Sequence, residues 1–131
     1  LKSLEAALER VCQKNKDPIA KIHDWFLKLY QMKREKVMSD PELYKAFKSA
    51  ADQQKSFYKE HLVVMNHQLT EIVKSATAQK KLTKHSIEKT VTLLFEVTTG
   101  FHNPMMIARH LNEKRENLLK QVLDVVLDGL S

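Results

Sequence analysis

The six histidines of this 131-residue chain are the side chains best suited to chemistry, because imidazole ligates metals and exchanges protons near neutral pH. Helical di-iron proteins use two Glu-x-x-His motifs with further inward-pointing glutamates. This sequence has only the reversed motif His85-Ser86-Ile87-Glu88, at the predicted start of a helix. We therefore expect neither a metal site nor a cofactor.

Two other histidines, His61 and His67, lie on one long predicted helix, with His61 near the edge of its apolar stripe. A histidine at such an edge is usually a surface residue or a core residue whose hydrogen bonds are satisfied. If it faces an internal cavity, it can instead hydrogen-bond a ligand. His102, two residues before Pro104, is interpreted as a loop or turn histidine.

The sequence carries no catalytic motif. It contains no Gly-rich phosphate loop, no G-x-S-x-G nucleophile motif and no paired-cysteine metal motif. The single cysteine, Cys12, excludes a disulfide within the chain and fits a reducing cytoplasm. Its position on a predicted helix favours an inert, partly buried thiol. We predict a cytoplasmic protein that is not an enzyme.

Aromatic and methionine side chains are scattered over four predicted helices that could converge. Small-molecule pockets are mostly apolar with a few polar anchors, and methionine adapts to irregular shapes. The same side chains could simply fill the core, and their residue types alone favour that interpretation.

The elements that must position these side chains are helices. Only 2 Gly and 3 Pro argue against an all-β fold, and apolar residues recur at helical spacing. The pairs Asp17-Pro18, Asp40-Pro41 and Asn103-Pro104 each predict a helix start, because the first side chain caps the helix and proline needs no N–H partner there. The β-branched residues of 90–99 favour a strand, but no other segment could pair with it, so we predict a helix.

The predicted boundaries follow from these signals. The predicted helices run from the N-terminus to about residue 14, over 18–37, 41–51 and 55–77, from Thr83 or Ser86 to a stop or bend at Gly100, over 104–110, and from the cap Asn112 to Gly129. Glu113 and Glu116 in the first turn of the last helix suit the positive end of its dipole.

The last helix has two apolar stripes. The first stripe contains Leu119, Val122, Leu123, Val126 and Leu130, and the second contains Leu118, Val122, Val125 and Gly129. A helix that lies on one small core needs only the first stripe. The second stripe indicates a helix buried on two sides, by its own subunit and by a partner. The alternative is a central helix of a monomeric bundle.

The formal net charge of +6 and the pI of about 9.4 raise the question of nucleic acid. Lys and Arg are spread over every segment, the longest run is Lys80-Lys81, and no aromatic platform lies between them. Because a phosphate-binding patch should be clustered on one face, we favour a solvated surface.

The length fits one domain, and no apolar run could span a bilayer. Apolar residues already recur at helical spacing from the first residues of the chain, so we expect the chain to be part of a longer protein.

Four segments of the chain share features with one family. Residues 1–9 look like a helix that leaves a DNA-binding domain, and residues 40–43 look like a short middle helix. Phe101-His102-Asn103-Pro104 is an aromatic-His-x-Pro phrase, and the last helix closes on Gly129-Leu130. In this order they resemble the C-terminal domain of the tetracycline-repressor (TetR) family of bacterial transcription regulators, over nearly the whole chain.

The resemblance implies a single all-α domain, 1–131, folded as a bundle of about six helices. The last two long helices would pair with those of a second subunit in a four-helix interface. The preceding helices would enclose a pocket for a small-molecule effector. Effector binding would shift the helix near Leu1 and release operator DNA through an N-terminal helix-turn-helix domain that this chain lacks. The recognition helices would then lose register with major grooves that lie roughly 34–36 Å apart.

On this hypothesis the candidate residues fall into two sets. The candidate pocket residues are Trp25, Tyr30, Phe57, His61, Met65, Phe95 and Met106. The candidate interface residues of a homodimer are Leu93, Val97, Leu119, Val122, Val126 and Leu130. Two rival functions stay open: a helical adaptor that binds another protein through its apolar C-terminal surface, and a basic helical module that binds nucleic acid.

Overall fold

The computed structural model describes residues 1–40, 42, 45, 49, 53 and 56–131, apart from the side chain of Phe57. Over these residues the chain is helical and contains no strand, which confirms the all-α prediction, including the helix predicted within 90–99. The helices are α1 (Lys2–Cys12), α2 (Pro18–Ser39), α3 (Ser56–Ala78), α4 (Ile87–Val97), α5 (Thr99–His102), α6 (Pro104–Arg109) and α7 (Glu116–Leu130). Most of the helix predicted over 41–51 lies outside the described residues.

Side-chain caps start three of these helices. Asp17 Oδ2 accepts a hydrogen bond from Ala20 N at 3.1 Å at the start of α2, and Asn103 Oδ1 accepts one from Met105 N at 3.0 Å at the start of α6. These two cap-plus-proline predictions are confirmed, and the third, at Asp40-Pro41, falls on Pro41, outside the described residues. Ser86, rather than Thr83, caps α4, because its Oγ accepts from Lys89 N at 3.1 Å.

The predicted start of the last helix is wrong. The helix begins at Glu116, and Arg115 rather than Asn112 occupies the N-cap position. Arg115 is held by long-range contacts, since its Nη1 donates to Gly100 O at 2.8 Å and its guanidinium lies 4.4 Å from the ring centroid of Phe101. These contacts position the chain just before the helix, and a cap motif read from local sequence cannot show them.

The two predicted glycine stops are also wrong. Gly129 lies inside α7, which continues to Leu130, and Gly100 lies inside the short helix α5. The break between α4 and α5 falls at Thr98, which is buried. Its Oγ1 donates to Leu94 O at 2.7 Å, and such a bond from a side chain to a helical carbonyl competes with the backbone pattern and bends helices.

The core is built around α2, which packs against α1, α3, α5, α6 and α7. Trp25 is 0% exposed and meets Phe26 and Phe95 edge to face, with ring centroids 5.0 and 5.8 Å apart. Edge-to-face pairs add to the stabilisation that the buried ring area already gives. The aromatic side chains of α2 therefore lie at the centre of the fold.

A buried glutamine joins the first three helices. Trp25 Nε1 on α2 donates to Gln68 Oε1 on α3 at 3.0 Å, and Gln68 Nε2 donates to Glu5 O on α1 at 3.1 Å. Gln68 is itself buried. Because both ends of its amide are used, Gln68 sets the position of α1 against the rest of the bundle.

The last helix, α7, packs on α2 and α4. Its inner stripe is buried and consists of Leu119, Leu123, Leu127 and Leu130. On the outer stripe (Leu118, Val122, Val125 and Gly129), Leu118 is 45% exposed and Val125 is 73% exposed. The subunit therefore buries one side of α7 and leaves Leu118 and Val125 exposed on the other, while Val122 between them is partly buried. No described helix is long and apolar enough to span a bilayer.

Candidate functional site

A cavity of about 310 Å³ lies beside α2, α3 and the α4–α6 segment. Its apolar lining consists of Tyr58, Leu62, Met65, Phe95 and Pro104. Its neutral and basic polar lining consists of Lys33, His61, Asn66, Thr99, His102 and Asn103. Glu96 also lines it, with an exposed side chain. The volume is at the lower end of the roughly 300–1,000 Å³ typical of small-molecule sites.

Three local features place these side chains. His61 and Met65 are four residues apart on α3 and therefore lie on one face. The break at Thr98 turns the chain, so that His102 at the end of α5 comes back beside Phe95 near the end of α4. Their ring centroids are 6.0 Å apart at an interplanar angle of 90°.

His61 is a buried side chain that has no hydrogen-bond partner among the described residues. It is 3% exposed, and within the described part of the chain neither ring nitrogen has a partner. Its Nδ1 is 3.7 Å from Glu5 Oε2, too far for a hydrogen bond. Burial, and then the positive charge of Lys33, lowers the pKa of His61 to about 4. At neutral pH the ring is therefore neutral, with one donor and one acceptor unused.

Lys33 brings a positive charge to the same cavity. Its Nζ donates to the backbone O of His102 at 3.1 Å. Burial, and then the charge of Lys36, lowers the pKa of Lys33 to about 8, so the ammonium form still predominates at pH 7. Among the described side chains, none of the carboxylates lies within 4.0 Å of this nitrogen.

His102 is already engaged by the backbone. Its Nε2 lies 3.2 Å from Phe95 O, and because a carbonyl only accepts, this nitrogen carries the hydrogen. Burial, and then the charge of Lys33, lowers the pKa of His102 to about 4. The residue that we interpreted as a loop or turn histidine ends α5 and lines the cavity.

The structure brings together three of the seven candidate pocket residues: His61, Met65 and Phe95 line the cavity. Trp25 and Tyr30 are instead buried in the core behind it, Trp25 against Phe95 and Tyr30 edge to face with Phe101 at 6.1 Å. Met106 lies on α6 outside the lining. The side chain of Phe57 lies outside the described part of the chain.

Sequence reasoning missed Lys33, although a signal for it existed. Lys33 follows Phe26 and Tyr30 at helical spacing, so a cation stands in phase with the apolar face of α2. A lysine at such a position must extend to the surface or be buried beside a polar partner. Which of the two occurs depends on the helices that pack around it.

The six candidate interface residues separate into three groups. Leu119 and Leu130 are buried by the subunit itself. Leu93, Val122 and Val126 are partly buried and pack against the core. Val97 on α4 is 41% exposed. The outer stripe of α7 contains two further exposed residues that the candidate set omitted, Leu118 and Val125.

Metal ligands are not clustered in the described residues, where no three His, Cys, Asp or Glu side chains are placed to hold an ion. Cys12 is half-buried, and burial, then the charge of Glu9, raises the pKa of its thiol to about 11. A thiol with a raised pKa is a poor nucleophile, as its helical position predicted.

Comparison with known families gives one match. The family model described as tetracyclin repressor-like, C-terminal domain matches residues 18–123. The matched range extends from the start of α2 into α7 and includes every residue that lines the cavity. Comparisons with curated proteins and with solved structures found no match.

Proposed function

The chain belongs to the family of tetracyclin repressor-like C-terminal domains, and on that premise we propose that it is the effector-sensing and dimerisation domain of a bacterial transcriptional regulator. One observation supports effector binding most strongly: a buried imidazole with no partner among the described residues lines a cavity of small-molecule size. The great majority of buried polar side chains have hydrogen-bond partners. A ligand would supply the partner that no described residue gives to His61.

The path from the cavity to DNA begins at α1. His61 and Gln68 lie on α3, and both approach Glu5 on α1. The ring of His61 lies 3.7 Å from the side-chain carboxylate of Glu5, and the amide of Gln68 donates to the backbone carbonyl of Glu5 at 3.1 Å. A ligand at His61 would act on the helix that the family resemblance connects to a helix-turn-helix domain. To change operator binding, the ligand must have different affinities for two positions of α1.

Dimerisation would use the outer stripe of α7. Exposed apolar side chains that adjoin one another mark interaction surfaces, and here Leu118 and Val125 project from the same stripe. In a two-fold dimer each stripe meets its own copy. Val97 on the neighbouring helix α4 would extend the contact, so that both helices of each subunit take part.

A plugged cavity tests the effector proposal. Asn66 lines the cavity but has an exposed side chain, so Asn66→Trp should fill the space without disturbing the core. His67→Trp, at the next position and outside the lining, is the matched control. We expect compounds that raise the melting temperature of the wild type and of His67→Trp to leave that of Asn66→Trp unchanged.

The same screen can reject the proposal. Compounds that stabilise all three proteins equally would bind elsewhere, and the cavity would not be the effector site. A chemically broad library without any stabilising compound would also count against effector binding by this cavity.

A further inference from the structure

The cavity offers hydrogen-bond donors and one positive charge. An ammonium group has three N–H donors, and Lys33 uses one of them on the backbone O of His102. The Nε2–H of His102 is used on Phe95 O. No hydrogen bond to a described residue fixes the tautomer of the His61 ring. The ring can therefore present an N–H to the cavity. Of the N–H groups on Lys33, His61 and His102, those left for a ligand are therefore on Lys33 and His61.

The carboxylates near the cavity, those of Glu96 and Glu5, do not occupy Lys33 and His61. Glu96 is exposed and keeps its carboxylate in water at the cavity lining. The Glu5 carboxylate is beyond hydrogen-bond distance of His61, and no Lys or Arg among the described residues forms an ion pair with it. Lys33 is the one cation that lines the cavity in the described structure. A doubly charged phosphate would have one lining cation for its two charges and the Glu96 carboxylate beside it, so a singly charged ligand is favoured.

The remaining lining is suited to an apolar body. Leu62, Met65 and Phe95 supply aliphatic, thioether and aromatic surface. Short charge-assisted hydrogen bonds to a carboxylate are about twice as strong as neutral ones. A ligand with one carboxylate and a compact apolar group would use both parts of the cavity.

We propose that the cavity binds a small organic monocarboxylate, whose oxygens accept hydrogen bonds from Lys33 Nζ and the His61 ring and whose apolar body packs on Met65 and Phe95. This inference rests on the proposed function and names the ligand class for the same cavity. It predicts that replacing the carboxylate by its neutral amide removes most of the affinity.

Matched probe pairs test the proposal directly. The probes are phenylacetate, benzoate and hexanoate, each compared with its own amide by calorimetry on the 131-residue chain. We expect at least one carboxylate to bind ten- to a hundredfold more tightly than its amide, the rough range for a charged hydrogen bond.

Substitutions on α2 then test whether the charge of Lys33 binds the carboxylate. Lys33→Met should remove that carboxylate preference, because it weakens carboxylate binding far more than amide binding, whereas Lys33→Arg should retain most of the preference. Lys36→Met is the matched control, because it removes the same charge one turn further along α2, outside the cavity lining. A carboxylate preference that survives Lys33→Met, or is lost equally in Lys36→Met, would overturn the proposal.

The outcomes separate this inference from the proposed function. Amides or amines that bind as well as the carboxylates, with binding lost in Asn66→Trp, would refute the monocarboxylate and support a different effector. If the carboxylates fail to bind while another compound from the broad library occupies the cavity, the inference is again wrong and effector sensing stands. If no compound binds the cavity, both proposals fail.

Discussion

Lys33 and His61 are polar side chains whose burial disfavours their charged forms. The pKa of Lys33 is lowered to about 8 and that of His61 to about 4, with burial as the main cause in both. An unsatisfied buried polar group costs roughly 1–3 kcal/mol of stability. Natural sites tolerate such costs where binding requires them. The unfavourable burial of Lys33 and His61 therefore indicates a ligand site.

Acid should destabilise the fold through its two cavity histidines. The folded-state pKa of His61 and of His102 is about 4, below the ordinary value of about 6.5. The unfolded chain therefore binds more protons between these values. Above pH 6.5 these two histidines should not lower the free energy of unfolding. As the pH drops towards 4, the free energy of unfolding should fall by up to about 1.4 kcal/mol per pH unit for each histidine.

Urea unfolding at pH 7.5, 6.5, 5.5 and 5.0 measures this dependence. His61→Gln should remove about half of the slope between pH 6.5 and 5.0. His67→Gln, an exposed position on the same helix, should keep the slope of the wild type. A free energy of unfolding that stays constant from pH 7.5 to 5.0 would show that these rings are not buried in the neutral form.

At the scale of elements, the Gln68 amide explains how α1 is held. It accepts from Trp25 and donates to Glu5, so three helices meet at one side chain. Gln68→Leu should leave the buried Trp25 Nε1–H without an acceptor and lower the free energy of unfolding by roughly 1–3 kcal/mol. Urea denaturation followed by the fluorescence of the single tryptophan measures the loss.

An exposed position on the same helix provides the comparison. Glu71→Leu, three residues further along α3 and exposed, should change the stability by no more than about 0.5 kcal/mol. If Gln68→Leu is equally mild, the amide does not position α1, and the proposed path from the cavity to α1 loses its structural support.

At the scale of the whole molecule, the outer stripe of α7 presents the exposed apolar side chains Leu118 and Val125. Val125→Asp should convert a dimer into a folded monomer, because the side chain is 73% exposed in the subunit and a charge opposes apolar contact with a second copy. Sedimentation measures the mass, and circular dichroism checks the fold. Asn117→Asp adds the same charge to α7 outside the outer stripe and should remain dimeric.

A neighbouring substitution distinguishes interface from core. Val126 is partly buried and packs against the core, so Val126→Asp should lower the melting temperature as well as affect association. A wild-type chain that sediments as a monomer at micromolar concentration would contradict the dimer. It would favour the adaptor that binds a different protein through the same stripe.

Local chemistry made much of the fold predictable. Caps act within a single turn, so Asp17 and Asn103 could be recognised from their neighbours in sequence, and both cap helices in the structure. Apolar periodicity likewise predicted the two stripes of α7. The family resemblance drawn from these helices is confirmed by the match over residues 18–123.

The sequence by itself thus determined the helical class, most helix starts, the faces of the helices and the family. Only the tertiary structure decided that Trp25 fills the core while His61 lines a cavity, that Lys33 and His102 join it there, and that α7 starts at Glu116. The physical reason is that periodicity shows which face of a helix is apolar but not what lies opposite. Cavities, buried charges and contacts such as that of Arg115 with Gly100 arise between segments far apart in the chain.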